Sequence, residues 1–317
     1  MHRNQTLKVI GFCLFQAVPI LVAATFLVFL LMHLVPGDIA ITLAGETATR
    51  ERVEEIRELY GLDRSVFAQY WTWLSNVLRG DLSISLLSSV PVFDSIVSRL
   101  PVSMMLVGIA MLISLVLGIP IGIFAASRPG STLDSVVTTI ASVGIALPGF
   151  WLGMILVTTL GMSLQLFPVS GMAHPGEDLS RSLYDAVLPA FALGASGIAE
   201  VARQTRSALI EFQSSQHMRT LLAKGLSHAS IFWKHGLKNI SVTLLTVTGL
   251  LFNRMLGGTV VIEAVFAING MGSLVVAAAS GKDFPVMQGV MLTMVLIVVL
   301  VNLVIEIFYA MLDPRVK

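Results

Sequence analysis

Apolar stretches of membrane-crossing length alternate with polar ones along this chain, and the alternation predicts its architecture. Residues 10–34 hold no Lys, Arg, Asp or Glu. A cleavable leader has an apolar run of roughly 7–15 residues, so this longer run predicts a retained first span, although Ala23 and Ala24 mimic a cleavage site. A second span is expected at 101–127, opened by Pro101 in its first turn, where the missing N–H costs nothing. The third, 135–164, is interrupted by Pro148-Gly149; the fourth covers 186–202, the fifth 242–262 and the last 286–312.

Between the first two spans the pattern changes character. Residues 36–99 carry six Arg and nine acids and read as an extramembranous helical segment. Thr49 is placed to cap a helix over 49–59 that Tyr60-Gly61 stops. A second helix repeats the pattern over 65–78 with Ser65 in the capping place, and sets Phe67, Tyr70, Trp71 and Leu74 on one stripe that suits packing against the membrane domain; Trp71 and Trp73 also suit a lipid interface. Residues 165–185, with Pro168, Gly171, His174, Pro175 and Gly176, read as a turn-rich loop, and 263–285 as a further polar, glycine-containing one. Inside the spans, Gly118 with Gly122, Gly194 with Gly197, and Gly257-Gly258 are spaced for close helix approach.

The polar stretch 203–239 stands apart. Arg203, Arg206, Arg219, Lys224, Lys234 and Lys238 face a single acid, Glu211. Six spans put both termini on one side, and that side collects eleven Lys/Arg from the tails, Arg128 and this loop. The short loops opposite hold only Arg181 and Lys282, so the termini and the 203–239 loop are assigned to the cytoplasm. Within it, residues 219–225 read as a short helix stopped by Gly225 in a left-handed turn, a handle for a partner protein.

Composition agrees: 55% of the 317 residues are hydrophobic and 12% charged, with a mean hydropathy of +0.85. The chain is an all-α integral membrane protein, and its near-neutral charge gives no sign of a nucleic-acid partner. Cys13 is the single cysteine, which rules out an intrachain disulfide. Catalytic signals are missing: the chain has no G-x-x-x-x-G-K-[ST], no G-x-S-x-G and no H-E-x-x-H, and Gly270-Met-Gly272 lacks a third glycine. His217, His228 and His235 are spaced 11 and 7 apart, unsuited to a ligand pair on one turn, so no metal or cofactor is expected on this chain. If the chain moves a solute against a gradient, the energy has to come from another subunit or from ion coupling. Arg254 lies well inside the fifth span and must face a partner helix, water or an acid. It is a pathway or gate candidate, or half of a structural ion pair. Pro148 and Glu263 are the other pathway or gate candidates, and the Pro148-Gly149 break reads equally as a pathway-lining element and as a packing kink. Glu200 is expected to reach the interface or a loop arginine.

The loop core Ala223-Lys224-Gly225, followed by K-H-G-L-K-N, resembles the cytoplasmic signature loop of ATP-binding-cassette importer permeases. HLVPGD (33–38), RELYGLD (57–63), QYWTWLSNVLRGDLSIS (69–85), RLP (99–101), ALPGFWLG (146–153), GGTVVIEAVFAINGMGSLVVAA, KDFPVMQGV and LDPRVK extend the resemblance along the whole chain, to the B-type permease of the dipeptide/oligopeptide/nickel subfamily. Leu221-Leu222, Thr243 and Ile268-Asn-Gly-Met-Gly272 depart from that subfamily's usual Ala-Arg, Pro and Trp-Pro-Gly-x-Gly. The resemblance implies the type I importer permease fold in a bacterial inner membrane, with residues 1–35 as tail and first span, 36–100 as an extracytoplasmic helical segment and 101–317 as a five-helix core with a coupling loop at 203–240.

The same resemblance implies alternating access driven from outside the chain. A second, C-type permease, two cytoplasmic ATPases carrying ATP and Mg, an extracytoplasmic binding protein and the lipid bilayer itself are the expected partners. Arg219, Thr220, Leu221, Leu222, Ala223, Lys224, Gly225, Leu226 and Ser227 are the expected ATPase contact. Di- and oligopeptides are the first substrate class, with nickel chelates, glutathione or another small solute as alternatives; an ion-coupled secondary carrier is the rival of a different class.

Overall fold

The computed structural model describes residues 11, 15–16, 18–30, 39–45, 48–59, 61–227 and 230–312. Cys13, the 33–38 motif, His228, both basic tails and the ends of the predicted first span lie outside the described residues. Among the described residues the regular elements are helical, with one isolated bridge between Ile84 and Pro91.

Four helices precede the main spans: α1 (Val18–Leu30), α2 (Ile39–Ala44), α3 (Arg50–Leu59) and α4 (Val66–Leu78). Both caps expected from the sequence form. Thr49 Oγ1 accepts the Arg52 N–H and Ser65 Oγ that of Ala68, each at 3.4 Å. The aromatic stripe of α4 packs onto α1. Phe67 stacks on Phe26 at 5.6 Å, and Tyr70 sits edge-on against Phe26 and Phe29 with its hydroxyl 3.0 Å from Thr25 Oγ1. Only Tyr70 is buried; Phe67 and Trp71 stay exposed.

Helix α5 (Val92–Ser127) begins nine residues before Pro101, so Pro101 is not in its first turn as the sequence suggested. Both Pro101 and Pro120 lie inside it. Each removes one backbone donor, yet the helix continues because its first turns are held by packing: Val92 and Ile96 join Met271, Met287 and Val290 in one buried cluster. Helices α6 (Thr132–Ala146) and α7 (Gly149–Leu156), the latter running on as π-turns over Val157–Ser163, form a pair bent by 95°. The cause is local. Leu147 is extended, with ψ 126°, as the residue before a proline is driven to be.

Helix α8 (Leu179–Asp185) meets α9 (Val187–Ser214) at 53°. Then follow α10 (Gln216–Ala223), a π-turn segment Ile231–Gly236 that leads into α11 (Leu237–Val265), α12 (Met271–Gly281) and α13 (Phe284–Leu312). The 263–285 stretch, expected to be a loop, therefore contains an eleven-residue helix. By length and apolarity α5, the α11 segment and α13 can each cross a membrane alone, and each bent pair can serve as one further span.

The centre of the fold is the α5–α9 contact, and glycine makes it possible. A Cβ on Gly118 would lie 2.7 Å from Val201 Cβ, and one on Gly122 2.5 Å from the Ala202 carbonyl oxygen. From the other side, Gly194 and Gly197 leave room for Ser114, whose hydroxyl donates to the Ala110 and Gly194 carbonyls at 2.8 and 2.9 Å. Both small-residue faces thus mate with each other. Gly258 approaches Leu193, whereas Gly257 has open space, so that pair makes a weaker contact than its sequence suggests.

Candidate functional site

Helix α9 does not stop at the end of the apolar run at Ala202 but continues through Arg203 and Arg206 to Ser214. Ser215 ends it and caps the next helix, accepting the Met218 N–H at 3.2 Å. Helix α10 therefore starts at Gln216, three residues before the helix read from the sequence. Its end matches the expectation. Gly225 has φ +80°, its N–H donates to Leu222 O at 2.9 Å, and the Leu226 N–H donates to Leu221 O at 3.4 Å, the pairing of a Schellman stop.

The nine coupling candidates divide by face. Leu221 turns inward and is buried with Phe212 and Ile231, with Met218 and Leu226 packed against them. Arg219, Thr220, Leu222, Ala223, Lys224, Gly225 and Ser227 remain exposed. Leu221 is thus an anchor that seats α10 on the end of α9, and Leu222 supplies the apolar exposed surface.

A second tie holds the α9 extension. Arg206 donates from Nε to Asp134 Oδ1 and from Nη2 to Asp134 Oδ2, the latter at 2.7 Å. Asp134 also accepts the Gly130 N–H at 2.9 Å. Both carboxylate oxygens of Asp134, at the first turn of α6, are therefore satisfied. Sequence reading named Arg206 but passed over Asp134. The only local signal was an acid in a helix's first turn; the partner lies 72 residues away.

The gate candidates separate. Pro148 and Arg254 line one cavity of about 240 Å³ between α7, α9 and α11, together with Leu193, Ser196, Leu251 and Met255. Arg254 is exposed into it and, among the described residues, makes no hydrogen bond. Glu200 feels its charge but is held by Arg203 Nη2 at 2.8 Å and Gln204 Nε2 at 2.9 Å, which fulfils the expectation of a loop-arginine partner. Glu263 is elsewhere and fully buried. Its Oε1 accepts from Ser103 Oγ at 2.5 Å and its Oε2 from the Ser273 N–H at 2.9 Å, while Ser103 Oγ accepts the Met271 N–H at 2.8 Å. Glu263 and Ser103 together cap α12 and are not on the cavity wall.

Another pairing was invisible in the sequence. Asp283, buried at the start of the last span, accepts from Ser85 Oγ at 2.5 Å and from the Leu86 N–H at 3.2 Å. It fastens the stretch between α4 and α5 to the loop between α12 and α13.

Residues 118–317 match the family described as binding-protein-dependent transport system inner membrane component, and residues 7–107 match the N-terminal part described for such membrane components. The chain belongs to this family. The permease is 36% identical to the glutathione transport system permease protein GsiC of Escherichia coli over 95% of each chain. It is 33% identical to the oligopeptide transport system permease protein AppB of Bacillus subtilis, over 95% of this chain and 96% of that one. Its fold is similar to that of the MetNI methionine ABC transporter in an inward-facing conformation, with a TM-score of 0.56 at 18% identity over 67% of this chain and 93% of that one. The permease is a multi-pass inner-membrane transport component of the type I importer fold, and its family is not one of enzymes.

Proposed function

We propose that this permease is the membrane-spanning B-type subunit of an ATP-driven, binding-protein-dependent importer of di- and oligopeptides. The names of relatives alike over nearly the whole length support the substrate class: one carries oligopeptides and another glutathione, itself a tripeptide. A C-type permease would complete the path, and two ATPases carrying ATP and Mg would supply the energy. The excess of eleven Lys/Arg on the side of the tails and the 203–239 loop supports placing both termini and that loop in the cytoplasm.

The observation that carries the reading is the way α10 is mounted. Its exposed residues Arg219, Thr220, Leu222, Ala223 and Lys224 sit on a helix that Leu221 anchors to Phe212 at the tip of α9. Helix α9 is in turn locked into α5 by interleaved glycines and to the start of α6 by Arg206. A displacement applied to α10 then reaches the membrane core through a stiff helix, since close-packed interiors transmit strain instead of absorbing it. ATP closure on the partner subunits would push α10 and alternate the access of the path.

The test is a cysteine at Ala223 in a Cys13→Ser background of the co-expressed complex. Cross-linking to an ATPase subunit, altered by ATP, is expected. A complex in which no ATPase co-purifies and transport follows an ion gradient would replace this reading with a secondary carrier.

A further inference from the structure

Gly149 borders two clefts that differ in a single charged group. On one side, α6, α7 and α9 enclose a cleft of about 420 Å³ walled by apolar side chains and glycine, such as Ile140, Leu152 and Phe191. The other cleft, of about 240 Å³, is also mainly apolar but contains the Arg254 guanidinium and Ser196.

A guanidinium at membrane depth is costly, and it persists where water or an anion meets it. Arg254 is two residues past the middle of the apolar run 242–262, about 3 Å along the axis, whereas the headgroups begin about 15 Å from a bilayer's centre. That distance exceeds the side chain's reach, so a lipid headgroup is a poor counter-ion. Glu200 is already occupied by Arg203 and Gln204. The cavity therefore presents one cation with free donors against an apolar wall.

We propose that Arg254 forms a transient subsite for the terminal carboxylate of a peptide passing through the permease, with Ser196 beside it and Leu193, Leu251 and Met255 receiving the last side chain. A planar guanidinium offers two parallel N–H groups to a carboxylate, and an apolar surround strengthens the pair. Pro148 at the helix break lines the same cavity, so the bent helix pair and the cation border one site. This inference rests on the peptide reading above and adds the chemical group that the membrane domain would recognise.

The experiment uses the complete complex with its cognate binding protein in lipid vesicles. Uptake of trialanine is compared with that of its C-terminal amide, each at a concentration that saturates the binding protein, so that delivery does not set the ratio. The wild type is expected to move the free acid about tenfold faster, the size of one charge-assisted hydrogen-bonded pair. Arg254→Gln collapses that ratio toward one, and Arg254→Lys keeps part of it.

Equal saturated rates for acid and amide in the wild type overturn the inference without any variant, and so does an unchanged ratio in Arg254→Gln. A ratio that vanishes when anionic lipids are replaced by neutral ones assigns the guanidinium to a headgroup and also overturns it. A wild-type complex that carries neither compound removes the peptide reading, and this subsite with it.

Discussion

Arg206 grips Asp134 with two nitrogens, joining the extension of α9 to the first turn of α6 across 72 residues of sequence. The pair bridges the element that carries α10 and the helix that leads to the Pro148 break. Removing either partner should leave α10 in place while loosening its connection to the path. For Asp134→Asn we expect ATP hydrolysis to continue with fewer peptides moved per ATP, measured as the ratio of the two rates in the intact complex. An unchanged ratio would mean that the connection runs through the α5–α9 contact alone.

Gly225 separates backbone strain from partner contact. A side chain there meets no atom of this chain within 4 Å, yet φ is +80°. Asn tolerates that conformation far better than Leu. Gly225→Leu is expected to lower both complex assembly and transport. Gly225→Asn should preserve the fold; if it nonetheless uncouples hydrolysis from transport, the loss comes from a crowded groove on the partner. Melting curves with paired rate measurements distinguish the two.

Two glycines of α5 should respond with opposite sign. Gly122→Ala would place a Cβ 2.5 Å from the Ala202 carbonyl oxygen and 2.6 Å from Thr205 Cβ, an overpacking that costs about 1–3 kcal/mol. Gly108→Ala enters open space in the same helix and should be neutral or stabilising by up to about 1 kcal/mol. Unfolding midpoints in one detergent provide the comparison, and equal shifts would contradict the packing assigned here.

At the α12 cap, Ser103→Ala removes the donor to Glu263 and the acceptor for the Met271 N–H together. Leaving buried polar groups unpaired costs about 1–3 kcal/mol each. Loss of protection from amide hydrogen exchange should concentrate in residues 271–281, which that cap organises. Uniform loss across the chain would instead indicate a general packing defect.

Much of this permease is readable in one dimension because its solvent changes along the chain. Membrane depth demands long apolar runs and excludes charge, so the apolar runs, the basic stretch 203–239 and the polar stretch 36–99 stand out by residue type alone. Thr49, Ser65 and Gly225 were legible for a related reason: caps and left-handed stops depend on residues within a few positions of one another. Helix α12 escaped because its start is stabilised by Ser103, 168 residues from the Met271 amide it caps. The first turns of α5 escaped similarly, since their packing partners lie near the far end of the chain.

By itself the sequence determined the membrane character, the basic handle and its glycine stop, and the small-residue faces, all consequences of local chemistry and period. Only the tertiary structure decided which faces met. It turned Leu221 inward and Leu222 outward, joined Arg206 to Asp134, withdrew Glu263 into a helix cap and brought Arg254 to the same cavity as Pro148. Those outcomes depend on which distant atoms a bent or continuous helix carries into contact, and residue spacing along a chain does not encode that distance.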